Sequence, residues 1–199
     1  MATSAQKLTF ISEDDYLAGE KISDIKYEYI DGDVYAMSGA SNNHNLIAGN
    51  VFLAFANHLK KQPCRPYISD MKVKIGSRYF YPDVIVDCSN LTGDSYFTEQ
   101  PKILVEVLSK STRRMDETTK RMTYMQIPSL REYILIEQDF VDVEIIRRET
   151  GWLSEHYFLG DELTLSSIGL TLTVEDIYER VQNNDVKEWL ESQQQTFDT

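Results

Sequence analysis

The chain has 199 residues, 42% hydrophobic and 11% aromatic, with a formal net charge of −12. Enough apolar mass for one core excludes a disordered chain, and no apolar run approaches the ~20 residues of a membrane-spanning helix. A chain this acidic is also not built to coat nucleic acid with a uniformly basic surface. Charge is uneven, however. Between Lys102 and Arg121 six basic and three acidic residues leave a balance of +3, so the remainder carries −15.

In chain order, MATSAQKLTF lacks the apolar stretch of a secretory leader, which places the protein in the cytoplasm. Ser12 followed by Asp15 resembles a capping box and predicts a helix from Glu13 to about Gly19. KYEYIDGDVYAM, Lys26 to Met37, reads as two strands turning at Asp31-Gly32. In SNNHNLIAGNVFLAFANHLKK, Asn42 or Asn43 can cap a helix whose apolar positions are Leu46, Ile47, Val51, Phe52, Leu53, Phe55 and Leu59. Pro66–Ile75 and Tyr79–Cys88 flank Gly76-Ser77-Arg78 as a second antiparallel pair, and Leu91–Gln100 reads as loop.

KILVEVLS, from Lys102, is a buried strand. Arg113 to about Gln126 has Met115, Thr118, Met122 and Met125 on one stripe, predicting an amphipathic helix that stops before Pro128 and packs its Met stripe into the core or a dimer surface. Glu132–Glu137, Val141–Arg147 and Trp152–Phe158 are further strands, with Arg147-Arg148 a solvated strand end, and Val174–Val181 is a helix. Residues 1–190 form one domain and 191–199, rich in Gln, a flexible tail. Lys102–Leu108, its helix and Glu132–Glu137 make a βαβ unit, so the architecture is α/β: one central mixed sheet flanked by helices. Cys64 and Cys88 lack metal-ligand spacing and read as reduced core thiols.

Two carboxylates break the apolar pattern: Glu106 inside KILVEVLS, and Asp83 in YPDVIV. An unpaired ionised carboxylate in a core costs several kcal/mol, the order of a domain's stability margin. Glu106 therefore lies at an exposed strand end, pairs with a cation, or holds a metal. If the two strands are neighbours, the two acids share one side of the sheet, an oxygen-rich site suited to Mg²⁺.

PD before one strand and E inside a second resemble the PD-(D/E)XK nuclease superfamily, whose restriction-endonuclease-like fold is a mixed sheet between helices. More closely, the chain is similar to the Uma-type restriction-endonuclease family. The matching pieces are KYEYIDGDVYAM, the histidine-bearing SNNHNLI, YPDVIVD, LVEVLSKST, DETTK with Tyr124, and EYILIE, in that order over roughly residues 10 to 180. The resemblance implies Mg²⁺- or Mn²⁺-dependent hydrolysis of DNA. Asp83, Glu106 and the Val107 carbonyl would hold the metal, Lys120 would orient or deprotonate the attacking water, and Glu28 would be an accessory acid. The superfamily lysine normally stands two residues after the second carboxylate, where this chain has Leu108. Lys120 on the following helix is the preferred substitute and Lys110 its competitor.

Plainer readings stand beside these. Asp83 can be a turn residue, Lys120 can pair with Asp116 on a wet helix face, and Glu28 can be a solvent-facing strand residue. His44 can touch phosphate or be a capping residue, while His58 and His156 show no metal spacing. The alternative function is a non-catalytic module of nuclease fold that binds nucleic acid or protein; a third reading gives the acidic surface to a protein partner, with nucleic acid reaching the site only when another subunit supplies positive charge. The resemblance also implies a homodimer, for which apolar strands after Glu132 offer a surface.

Overall fold

The computed structural model describes residues 10–197, so the first nine residues and the last two of the tail lie outside the described residues. Ser12 caps α1 (Glu13–Glu20), its hydroxyl accepting from the Asp15 amide at 3.2 Å, with three acids in the first turn where the helix dipole favours them. β1 (Tyr27–Ile30) and β2 (Asp33–Ala36) pair around Asp31 and Gly32 at φ 50° and 105°, the left-handed values of a two-residue hairpin turn. α2 (Asn42–His58) is capped by Ser41 rather than by Asn42 or Asn43. The Ser41 hydroxyl accepts from the His44 amide at 3.1 Å, and Ile47, Val51 and Phe55 form the buried face.

The two long runs read as one antiparallel pair each break in two. β3 (Arg65–Ile68) and β4 (Lys72–Ile75) separate at Ser69, which adopts φ 59°. β5 (Arg78–Phe80) and β6 (Val84–Asp87) separate around Pro82, which has no amide to donate to a ladder. After β7 (Phe97–Thr98) come β8 (Pro101–Leu108), a helical turn, β9 (Glu132–Glu137), β10 (Val143–Arg147) and β11 (Leu153–Tyr157). The single sheet expected from sequence is therefore two: a five-stranded sheet, β2-β1-β5-β4-β7, and a six-stranded one, β11-β10-β9-β8-β6-β3. β8 and β9 are parallel, as the βαβ reading requires, and the other ladders of the larger sheet are antiparallel.

A hairpin of β12 (Glu162–Leu165) and β13 (Leu170–Thr173), absent from the sequence reading, leads into the short α4 (Val174–Ile177). The Gln-rich segment then continues α5 (Asn184–Phe197), so the part of the tail within the described residues is helical.

α2, β12–β13 and α4 cover one face of the larger sheet, burying Ile47, Val51 and Phe55 against Val84, Val105, Ile134 and Ile145. Each such side chain contributes roughly 1.5–3 kcal/mol. On the opposite face Ile85, Leu104, Leu108 and Leu135 meet Val73 and Phe80 of the smaller sheet and Tyr124 from the helical crossover. α1 stacks Tyr16 on Tyr29 and sets it at a tilt against Tyr79, on the smaller sheet's outer side.

Three sequence expectations are corrected. Cys64 and Cys88 are disulfide-bonded, because the β3–β6 register that pairs Arg65 with Asp87 puts the next residues opposite one another. Arg147 is buried, with contacts to Glu155, Tyr157 and the Thr164 carbonyl, and Arg148 donates to the Leu130 carbonyl at 2.7 Å. Of the strands after Glu132, β9 is wholly buried and only β11 is largely exposed, so the apolar dimer surface expected there is reduced to that edge.

Candidate active site

Asp83 and Glu106 are brought together by register. Val84 pairs with Val105 across the antiparallel β6–β8 ladder, so Asp83, one residue earlier, stands across from Glu106, one residue later. Side chains of directly opposed residues share a face. Asp83 also bridges the strands, since its Oδ2 accepts the Val107 amide at 2.7 Å. Glu106 points to the same side as Leu104 and Leu108, between the two sheets, and is only 3% exposed.

The cation for Glu106 comes from the crossover. Residues Met115–Lys120 form a π-helical turn that runs into α3 (Arg121–Tyr124), with the Arg121 amide bonded to the Asp116 carbonyl five residues back. Such wide turns are rare and concentrate at functional sites. Here the turn buries Asp116, Lys120, Thr123 and Tyr124, while Met122 is 70% exposed and Thr118 is exposed. Of the predicted Met stripe only Met125 packs against the apolar cluster, and Met122 faces outward. The inward face is polar because it meets carboxylates.

Lys120 Nζ lies 3.2 Å from Glu106 Oε1, 2.9 Å from Glu28 Oε1 and 3.1 Å from Asp116 Oδ1. The pairing with Asp116 thus exists, but in the interior rather than on a wet face. The Tyr124 hydroxyl donates to the same Glu106 oxygen at 3.0 Å. Glu28 reaches in from β1, is buried, and accepts the Tyr81 amide at 3.1 Å. Lys110 is exposed in the turn after β8, and Leu108, at the usual lysine position, packs in the apolar cluster.

The charges do not balance. Glu28, Glu106 and Asp116 face one buried ammonium, and Asp83 adds its negative charge beside Glu106. Burial pushes the Glu106 carboxyl well above the usual carboxylate range; Lys120 opposes this, and Asp116, Asp83 and Glu28 add to it. Burial raises Asp116 as well, again against Lys120. Burial alone would lower Lys120, but Glu106, Glu28 and Asp116 outweigh it and hold the ammonium well above its ordinary value. Asp116 Oδ1, though near Lys120, receives no aligned hydrogen bond.

A surplus of buried negative charge with hard oxygen donors fits a divalent cation. Among the described residues no three His, Cys, Asp or Glu side chains form a ready cage. Two carboxylates on one side of the sheet would leave the remaining positions of a Mg²⁺ to water and main-chain oxygen, which is its habit. Of the histidines, His58 bonds the Ile168 carbonyl and His156 bonds Asp142, both at 2.8 Å and away from this cluster. His44, which the sequence offers as a phosphate contact or a capping residue, places Nε2 2.8 Å from Asp83 Oδ1. A cleft of about 750 Å³ beside Glu20, Lys72 and Tyr96 contains none of the site residues.

The chain is similar to known proteins over most of its length. The family model described as "Uma2: Putative restriction endonuclease" matches residues 14–175. Two Synechocystis sp. proteins are similar along most of their own length as well. One, slr1290, is 36% identical over 173 residues, covering 84% of this chain and 91% of that protein; the other, sll1609, is 33% identical over 164 residues, covering 77% and 89%. The crystal structure of "a putative nuclease belonging to DUF820" from Anabaena variabilis superposes with a TM-score of 0.71 over 86% of this chain and 99% of that one. At 19% identity, what is shared with it is the fold.

Proposed function

The chain belongs to the Uma2 restriction-endonuclease family, and from that premise we propose that it is a divalent-cation-dependent nuclease that hydrolyses phosphodiester bonds in DNA. The observation that carries the reading is the Lys120 ammonium held within 3.2 Å of Glu106, on the same side of the sheet as Asp83. It supplies from a helix the charge that Leu108 cannot supply from the strand.

Asp83 and Glu106, with the Val107 carbonyl, would hold Mg²⁺ or Mn²⁺, which when bound polarises the phosphate and acidifies a water. Lys120 keeps its proton, because the carboxylates around it hold its pKa high. Its role is therefore to orient the attacking water and stabilise charge gathering on the phosphate oxygens, rather than to act as the base. Glu28 fixes Lys120 from the smaller sheet at 2.9 Å, and Tyr124 fixes Glu106. Lys110 and Arg114, both exposed and near Glu106 and Lys120 in sequence, would meet the DNA backbone. Because cutting both strands of a duplex calls for two sites, the working unit in this reading is a two-fold dimer.

The test is nicking of supercoiled plasmid with Mg²⁺ or Mn²⁺. Wild type should nick, and Asp83→Ala, Glu106→Gln and Lys120→Met should not. Nicking that persists in EDTA or in Asp83→Ala would refute the proposal.

A further inference from the structure

Among the described residues, His44 is the one titratable side chain touching Asp83 that the proposed chemistry leaves without a task. Asp83 is gripped at both oxygens: Oδ2 by the Val107 amide at 2.7 Å and Oδ1 by His44 Nε2 at 2.8 Å. A carboxylate held at one oxygen can still rotate about its Cβ–Cγ bond; one held at both cannot without breaking a bond. Each oxygen retains a lone pair for a cation. The two residues are sheltered, with side chains 16% and 18% exposed, so bulk water competes weakly for the bond.

The histidine is itself located by the fold. Ser41 accepts the His44 amide at 3.1 Å and donates its hydroxyl to Gln138, whose amide donates to the Leu108 carbonyl at 3.0 Å. The start of α2 is thereby tied to the end of β8, the strand that carries Glu106. A chain of three hydrogen bonds thus sets where His44 stands relative to the second carboxylate. Carboxylates that bind metals are commonly oriented by such outer hydrogen bonds, and losing one costs about ten- to a hundredfold in affinity.

We infer that His44 is a positioning residue: with Nε2 protonated, it donates to Asp83 Oδ1 and turns that carboxylate toward the cation it would share with Glu106. The inference rests on the two-carboxylate cation site proposed above. It assigns His44 no contact with the substrate.

The experiment is calorimetric titration of Mn²⁺ into the purified protein without DNA, at one pH. It compares wild type with His44→Ala, His44→Gln and Asp83→Ala, each first shown by circular dichroism to be folded. Mn²⁺ affinity should fall about ten- to a hundredfold in His44→Ala, stay close to wild type in His44→Gln, whose amide still donates, and vanish in Asp83→Ala. In ¹⁵N spectra of the metal-free protein, His44 should carry its proton on Nε2, and Asp83→Ala should release that preference. If His44→Ala binds Mn²⁺ as tightly as wild type while Asp83→Ala does not, the role of His44 is overturned and the site stands. If wild type shows no Asp83-dependent Mn²⁺ binding, the cation site itself is wrong and the inference falls with it. A His44 found protonated on Nδ1 with Nε2 bare overturns the inference without reference to metal.

Discussion

Replacing Lys120 with methionine tests the charge cluster most directly. The substitution keeps most of the aliphatic stem and deletes the only ammonium among Glu28, Glu106 and Asp116, which lie 2.9 to 3.2 Å from it. Removing one partner of a buried ion pair leaves an uncompensated charge and costs about 3–5 kcal/mol, much of a typical ~5–15 kcal/mol stability. The cost should depend on pH, with a defined sign. Because Glu106 and Asp116 have raised folded-state pKa values, the native state binds more protons than the unfolded chain above the ordinary carboxylate range. The stability these two groups contribute is thus greatest at low pH and is lost as pH rises through their folded values. Deleting Lys120 raises those values further, so the defect should be large at pH 7.5 and much smaller at pH 5. Glu106→Gln removes a surplus negative charge and should lie within about 1 kcal/mol of wild type at pH 7.5, or above it. Urea unfolding followed through Trp152 and Trp189 measures all three proteins. A Lys120→Met protein with the wild-type midpoint at pH 7.5 would mean that the ammonium does not neutralise these acids in the folded chain.

Four further outcomes are expected. Tyr124→Phe removes a hydrogen bond to the buried Glu106 oxygen and should cost about 1.5–3 kcal/mol in the same assay; no change would place the hydroxyl elsewhere. The disulfide closes a sequence separation of 24 residues, so reduction should lower stability by about 3.5 kcal/mol on the chain-entropy model, and thiol titration of the oxidised protein should find no free cysteine. Lys110→Gln with Arg114→Gln should leave the unfolding midpoint unchanged while making the slope of log K against log salt for DNA binding shallower, by about one for each phosphate left without its cation. Titration with Mn²⁺ at about a hundredfold over its Kd should raise unfolding free energy by about 2.7 kcal/mol in wild type and not in Asp83→Ala.

How far the sequence showed this site depends on which rule each residue broke. Asp83 and Glu106 were legible because a carboxylate in an apolar strand violates burial energetics locally, within a few residues. Lys120 and Glu28 were reached only through the family resemblance. Asp116 was read only as a wet-face partner for Lys120 and His44 only as a phosphate contact or a capping residue, since no neighbouring stretch of sequence reports that a side chain turns inward or meets Asp83. The helix after β8 was placed correctly but turned over. Periodicity identifies the apolar stripe with the interior, and here the interior is a nest of acids, so Met122 faces water and Lys120 does not. The β12–β13 hairpin did carry a signal, because Leu163, Leu165, Leu170 and Leu172 alternate around a Ser-Ser-Ile-Gly turn. The disulfide followed from a register that only the folded sheet specifies.

In the proposed site, carrying the lysine on the helix instead of the strand changes what holds the site together. A lysine at position 108 would reach the carboxylates from their own strand, its placement fixed by β8 alone. With Leu108 there instead, that position joins the apolar cluster beside Tyr124 and Leu130, and the ammonium arrives only when the π-helical turn docks. The turn docks in part because Tyr133 of β9 donates to the Asp116 carbonyl at 3.1 Å and Tyr124 packs edge-on against Phe80 and Tyr133. Charge at the site and packing of the crossover are therefore one event. A substitution that loosens the Tyr124–Tyr133 contact should impair Lys120 placement without touching a carboxylate, and one that overfills position 108 should do the same from below.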